Sequence, residues 1–199
     1  MKLWDRIRNR EDQEIYYYDS RGIFRAEELA ENLYRLICEE LAVTRKTGVV
    51  ILCIGTDCST GDSLGPLIGY KLQDRLVGKV EVVGTLDRPV HAMNLEQYRA
   101  KLLECYPHHI VVAVDASVGN LDHVGFITLG KGSIKPGLGV SKNLREVGDI
   151  FITGIVGSCG NYDPLMLQSV RLSMVMRLAD CISESIVLVE KFWGKATLI

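Results

Sequence analysis

The sequence predicts an α/β fold, a three-layer α/β/α sandwich around a mainly parallel but mixed sheet. Three largely apolar segments predict buried strands at Val49–Ile54, Ile110–Val114 and Ile150–Val156, and the first is a continuous apolar run, typical of a strand covered on both faces. Segments with helical spacing of apolar residues alternate with these runs, which favours parallel strands joined by helices. The chain has 199 residues, of which 47% are hydrophobic and 24% charged, as expected for a folded chain with one core.

The remaining elements follow from periodicity and from residues that begin or end helices. Apolar residues at helical spacing predict an amphipathic helix over Ile23–Val43, and further helices over Ser63–Leu76 and Asn94–Cys105. A last long helix is predicted from Asp163 and Pro164 to Val189, because Asp favours the cap position and Pro the first helical position. Val80–Val83 is a short strand, and Phe126–Leu129 is an antiparallel neighbour or an edge strand.

The chain divides into a short arm and one domain. Residues 1–20 are polar, contain the cluster Tyr16, Tyr17 and Tyr18, and show no helical periodicity. We therefore expect a mobile or draped N-terminal arm over residues 1–20 and a single α/β domain over residues 21–199.

Charge and cysteine content exclude several functional classes. The net charge of −2 provides no basic field for nucleic acid or for an anionic membrane surface. The six cysteines include no CxxC pair, and the N-terminus lacks the apolar segment of a signal peptide. No apolar stretch approaches the roughly 20 residues of a membrane-spanning helix. We expect a cytoplasmic protein with reduced thiols whose function resides in a site.

Two aspartates are the strongest candidates for that site. Ligands of parallel α/β sheets bind beyond the carboxyl ends of the strands. The Gly-rich loop Gly55–Pro66 follows the first apolar run there, but it matches neither a phosphate-binding loop nor a dinucleotide fingerprint. Asp62 begins the next helix, as a cap or as a functional carboxylate, and Asp115 is the first polar residue after Ile110–Val114.

If both carboxylates project from one sheet edge, they can share a proton and activate water for attack on a carbonyl. Our hypothesis is that Asp62 is the base, because a helix N-terminus favours its ionised form, and that Asp115 is the acid. The same pair could instead hold a divalent metal, although a transition metal usually also takes an imidazole. A nucleophilic pair of Cys58 or Cys159 with a loop histidine is a further alternative without a supporting local signature.

Substrate-binding candidates lie in the same loops. Gly55 and Asp57 belong to the loop that carries Asp62, although Asp57 also suits an ordinary turn. Ser158 lies in the small-residue segment that follows the last strand, which either polarises a substrate carbonyl or simply turns the chain. The Gly-rich segment Lys131–Val140 is either a binding element or a surface loop.

Four motifs together resemble a family of peptidases. They are GTDCSTGDSLGP after the first apolar run, VDAS after a later one, IKPGLGVSKN, and IFITGIVG. They resemble the spore germination protease and, more closely, the smaller YyaC-type sporulation proteases. The resemblance extends from Val49 to the end of the last helix. It implies a phosphorylase/hydrolase-like fold shared with hydrogenase maturation proteases, and aspartic peptidase activity in which Asp62 and Asp115 occupy the two catalytic positions.

The resemblance also implies a substrate and a location. Hydrogenase maturation proteases bind nickel partly through a histidine, but Asn143 stands nearest that place here, so we expect neither a metal nor another cofactor. We assign Asn143 to substrate binding. The expected substrate is a protein or peptide, such as a small acid-soluble spore protein, in the forespore or spore core. A metal-binding relative of the maturation proteases, a non-catalytic spore-protein binding module and a homo-oligomer remain alternatives.

Overall fold

The structure is a computed structural model that describes residues 14–78, 80–136, 145–158 and 164–196. The described strands are β1 (Ile15–Asp19), β2 (Gly48–Cys53), β3 (Val80–Val83), β4 (His109–Gly119), β5 (Phe126–Lys131) and β6 (Ile150–Ser158). The α-helices are α1 (Ala26–Thr44), α2 (Leu64–Leu72), α3 (Leu95–Cys105) and α4 (Leu172–Ala196). Short 3-10 helices occupy Gly61–Ser63, Leu121–His123 and Pro164–Ser169.

The six strands form one mixed sheet in the order β1-β5-β6-β4-β2-β3. Strands β3, β2, β4 and β6 are mutually parallel, whereas β5 is antiparallel to both of its neighbours, β6 and β1. The predicted antiparallel pairing of Phe126–Leu129 is therefore confirmed. This strand lies inside the sheet rather than at its edge, because β1 covers its far side.

Helices pack on both faces of the sheet, which confirms the predicted three-layer α/β/α class. The larger apolar cluster joins α1, α2 and α4 to one face and includes Val112, Ile152 and Leu129. The smaller cluster joins α3 to the other face and includes Leu52 and Ala113. Every residue of β2 is buried, as its continuous apolar sequence indicates. No helix in the described part of the chain is long and apolar enough to cross a membrane.

Strand β1 lies within the segment that the sequence assigned to the polar arm. Tyr16 and Tyr18 pack against the larger cluster, while Ile15, Tyr17 and Asp19 point away from it and are exposed. The hydroxyl of Ser20 donates a hydrogen bond of 2.6 Å to the carbonyl of Gly125, so the connection to β5 is also fixed. The N-terminal arm assigned from the sequence thus contains an edge strand at Ile15–Asp19, and residues 1–13 lie outside the described part.

Other differences concern where elements end. The predicted helix over Ser63–Leu76 begins with a 3-10 turn and its α-helical part ends at Leu72. The predicted last helix is divided into a 3-10 segment, Pro164–Ser169, and α4, which begins at Leu172. Strand β4 continues beyond Val114 to Gly119, because β6 extends equally far and keeps pairing with it.

Candidate active site at the ends of the parallel strands

The loop after β2 folds back on itself and fixes Asp62. Gly55 has φ +146°, and a Cβ atom there would overlap the backbone carbonyl oxygen of Asp62. That carbonyl accepts a hydrogen bond of 3.0 Å from the amide of Thr56, and the Gly55 amide donates one of 2.8 Å to the Val90 carbonyl. Glycine is needed at position 55 because a side chain would fill the space into which Asp62 packs.

Asp62 lies in the 3-10 turn that leads directly into α2. This helix starts very close to the end of β2, since a Cβ atom at Gly65 would overlap the carbonyl oxygen of Ile54. The hydroxyl of Ser63 donates a hydrogen bond of 2.7 Å to the Thr60 carbonyl and stabilises the turn. The structure gives Asp62 no role as a side-chain cap of α2, because its carboxylate makes no cap hydrogen bond there. Asp62 is half-buried beside the carboxyl end of β2.

Asp115 lies inside β4 rather than after its end, and it is half-buried. Its side chain is on the α3 face of the sheet, because it alternates along β4 with Val114 and Ala116, which pack on the opposite face. One carboxylate oxygen, Oδ1, accepts a hydrogen bond of 2.8 Å from the amide of Ala116. This single backbone donor leaves a carboxyl group that is short of partners for a full negative charge.

The two carboxyl groups are electrostatically coupled. Burial raises the pKa of Asp115 to about 8; the amide of Ala116 opposes this shift, and the charge of Asp62 adds to it. Burial also raises the pKa of Asp62, while the neighbouring Ser59 hydroxyl lowers it. Asp115 therefore keeps a proton at neutral pH, and the pair can present one acid and one base.

Comparisons with known proteins show the family of this chain. A family model described as "Protein of unknown function (DUF1256)" matches residues 22–185. The chain belongs to the DUF1256 family. It is 40% identical over 162 residues to the uncharacterized protein YyaC of Bacillus subtilis (strain 168), covering 81% of this chain and 79% of that protein. The predicted relationship to YyaC-type proteins is thus confirmed.

Among solved structures, this DUF1256 chain is similar to a [NiFe] hydrogenase maturation protease, HycI, from Thermococcus kodakarensis KOD1. The sequence identity is 21% and the TM-score is 0.49, and the match covers 77% of this chain and 99% of that one.

The other predicted site residues of this DUF1256 chain lie at different distances from the pair. Gly55 supports Asp62 directly, whereas the Asp57 side chain is exposed. Ser158 ends β6 beside Gly119, four residues beyond Asp115 along β4, which corresponds to roughly 13 Å. Its predicted contact with substrate stays a prediction, and Asn143 lies outside the described residues.

The structure also locates residues of the two alternative sites, a cysteine–histidine pair and a metal site. Cys58 is exposed, and Cys159 lies outside the described residues. His91 is half-buried, with its Nδ1 accepting a hydrogen bond of 3.2 Å from the Met93 amide. In the described part of the chain, no three side chains of His, Cys, Asp or Glu are grouped so that they could hold a metal ion.

Sequence reasoning missed a chain of hydroxyl groups next to Asp115. The hydroxyl of Ser117 donates a hydrogen bond of 3.0 Å to that of Thr153, which is 2.7 Å from that of Thr128. The register places Thr153 directly opposite Asp115. The available signal was a threonine inside each of the apolar runs FITL and IFIT. Their alignment depends on the pairing of strands that are distant in sequence.

Proposed function

We propose that this protein is a peptide hydrolase in which Asp62 and Asp115 form the catalytic pair. The observation that carries the proposal is a pair of interacting, half-buried carboxyl groups, in which burial and, to a smaller extent, the charge of Asp62 raise the pKa of Asp115 to about 8. Two carboxyl groups of unequal pKa are what acid–base hydrolysis of an amide needs. The family relationship agrees with this proposal, because the motif resemblance assigns peptidase chemistry to the same two positions.

The geometry supports a defined division of roles. Asp62 lies at the start of α2, where the helix dipole favours its ionised form, so it accepts a proton from water. The water oxygen then bonds to the scissile carbonyl carbon. Asp115 donates its proton to the leaving nitrogen as the C–N bond breaks, and the products are a carboxylic acid and an amine. Passage of the proton from Asp62 to Asp115, directly or through solvent, restores the starting state.

We further propose a protein substrate in a sporulating or germinating cell. The resemblance to YyaC-type sporulation proteases supports small acid-soluble spore proteins as substrates and the cytoplasm of the forespore or spore core as the location. The net charge of −2 bears on the expected partners. It gives the chain no basic field that would attract it to the DNA to which such substrates bind. We therefore expect this protein to act on the substrate protein without binding nucleic acid or membrane.

The test is cleavage of purified small acid-soluble spore proteins by the wild type and by Asp62→Asn and Asp115→Asn. Asp74→Asn is the matched control, because this aspartate is exposed and lies just after α2, outside the candidate site. We expect specific cleavage by the wild type and the control, a loss of at least about 100-fold in both active-site variants, and no effect of a chelator.

Other results would contradict the proposal in identifiable ways. Cleavage that stops on adding a chelator and returns with nickel would favour a metal-dependent relative of the maturation proteases. Binding without cleavage, unchanged in Asp115→Asn, would favour a non-catalytic binding module. Circular dichroism of each variant establishes that a loss of activity does not reflect unfolding.

A further inference from the structure

A straight row of side chains leads from Asp115 to the edge of the sheet. The strand register places Asp115 opposite Thr153, Thr153 opposite Thr128, and Thr128 opposite Tyr17. Register partners project from the same face, so all four side chains lie on the face that carries α3. The hydroxyl chain that includes Ser117 runs along the same row. The row therefore joins one member of the catalytic pair to the edge strand β1.

No described α-helix covers this part of the sheet face, although the 3-10 helix Leu121–His123 contacts β6. The apolar cluster under α3 contains residues of β2 and β4, and none of β5 or β6. Thr128 is buried at the centre of the row, whereas Thr153 is half-buried and Tyr17 is 52% exposed. Along the row, the threonine hydroxyl groups are thus buried or half-buried, and the aromatic side chain at the β1 end is exposed.

Tyr17 belongs to an aromatic group that is not part of either apolar cluster. Its ring centroid is 5.3 Å from that of His123, which is 5.1 Å from that of Phe126. The guanidinium of Arg21 lies 4.8 Å from the Phe126 ring centroid and pairs with Asp19 at 2.9 Å. Because Asp19 neutralises Arg21, the group offers planar aromatic surface without a net charge from this ion pair.

We propose that this row is the substrate-binding path of the enzyme and that Tyr17, with His123, forms a subsite for an aromatic side chain. The proposal rests on the peptidase function proposed above. Three steps between neighbouring strands span about 14 Å from Asp115 to Tyr17. An extended peptide covers that distance in about four residues. The recognised side chain is therefore about four residues from the scissile bond.

The chemistry of the subsite selects its ligand. Aromatic rings stack on one another in offset or edge-to-face arrangements, and the exposed Tyr17 ring lies beside the half-buried His123 ring at an interplanar angle of 41°. A charged side chain would gain little here, since Arg21 and Asp19 already satisfy one another. Phe, Tyr or Trp of the substrate fits this surface best.

The experiment uses a synthetic library of randomised decapeptides, incubated with the full-length wild type and with Tyr17→Ala. Cleavage sites are located by mass spectrometry. Tyr70→Ala is the matched control, because Tyr70 is also 52% exposed but lies on α2. We expect aromatic residues to be enriched about four positions from the cleaved bond with the wild type. Tyr17→Ala should lose this enrichment, and kcat/KM for an aromatic peptide should fall about 2- to 10-fold. Tyr17→Phe should restore both.

The outcomes separate this inference from the proposed function. Cleavage without aromatic enrichment, or with enrichment that survives in Tyr17→Ala, would overturn the subsite and leave the peptidase proposal standing. Absence of cleavage would contradict the peptidase proposal instead. In that case, the subsite is tested by binding: library peptides are passed over immobilised Asp115→Asn protein, and the retained peptides are sequenced. Enrichment of aromatic residues that disappears when the immobilised protein also carries Tyr17→Ala supports the subsite. Any other result refutes it.

Discussion

Replacement of Asp115 by asparagine should change how the stability of the protein depends on pH. The pKa of Asp115 is about 8 in the folded chain, against about 3.9 for an aspartate in an unfolded chain. Between these values the folded state holds one proton more than the unfolded state. The stabilisation of the folded state is fully present below about pH 4 and is lost as the pH rises towards 8. Because asparagine cannot ionise, the free energy of unfolding of the variant does not decrease with pH for this reason.

The size of the effect follows from the separation of the two pKa values. Each pH unit between them costs the wild type up to about 1.4 kcal/mol relative to Asp115→Asn. From pH 5 to pH 7, the free energy of unfolding of the variant minus that of the wild type should therefore rise by up to about 2.7 kcal/mol.

Urea unfolding at pH 5, 6 and 7, followed by circular dichroism, measures this difference directly. Asp57→Asn serves as the control for replacing an exposed aspartate in the active-site loop. In Asp62→Asn the pKa of Asp115 should be lower, because the Asp62 charge contributes to raising it. A difference between Asp115→Asn and the wild type that stays constant over the three pH values would refute the assignment of a protonated Asp115.

Three further predictions concern activity and local structure. Cleavage should decline on the alkaline side with a midpoint near pH 8, as Asp115 loses the proton it donates, and a pH profile of kcat/KM measures this. Gly55→Ala should reduce the free energy of unfolding by more than about 1 kcal/mol in urea, because the new Cβ overlaps the Asp62 carbonyl at positive φ. Thr153→Val should reduce it by about 1–2 kcal/mol in the same assay, because the buried Thr128 hydroxyl loses its partner; Ser117→Ala, at the end of the hydroxyl chain, should cost less.

The elements that could be predicted from the sequence are those whose buried positions are marked by apolar residues. Strand β2 is a nearly continuous apolar run, which is typical of a strand covered on both faces. The helices were found from their periodicity, although their ends moved by several residues where 3-10 turns replaced α-helix. Asp62 and Asp115 were selected because each is a polar residue that follows a buried apolar run, and their catalytic role stays a prediction.

The features that were missed depend on contacts between distant segments. Strand β1 contains three consecutive tyrosines, and identical residues hide the alternation between a buried and an exposed face. Strand β4 continues past Asp115 through the small-residue segment 116–119 because its partner β6 pairs with it there. The row from Asp115 to Tyr17 joins four strands, and no local pattern in one strand reveals its register with the next.

Strand β1 also limits where the N-terminus of this protein can be trimmed by proteolysis. A cut before Ile15 would leave all six described strands in place, whereas a cut after Ser20 would remove an entire strand. Strand β5 would then present a row of unpaired backbone amides and carbonyls, which invites pairing with another chain. The same cut would delete Tyr17 and the outer end of the path from Asp115. Maturation by removal of an N-terminal segment is therefore compatible with this architecture only upstream of Ile15.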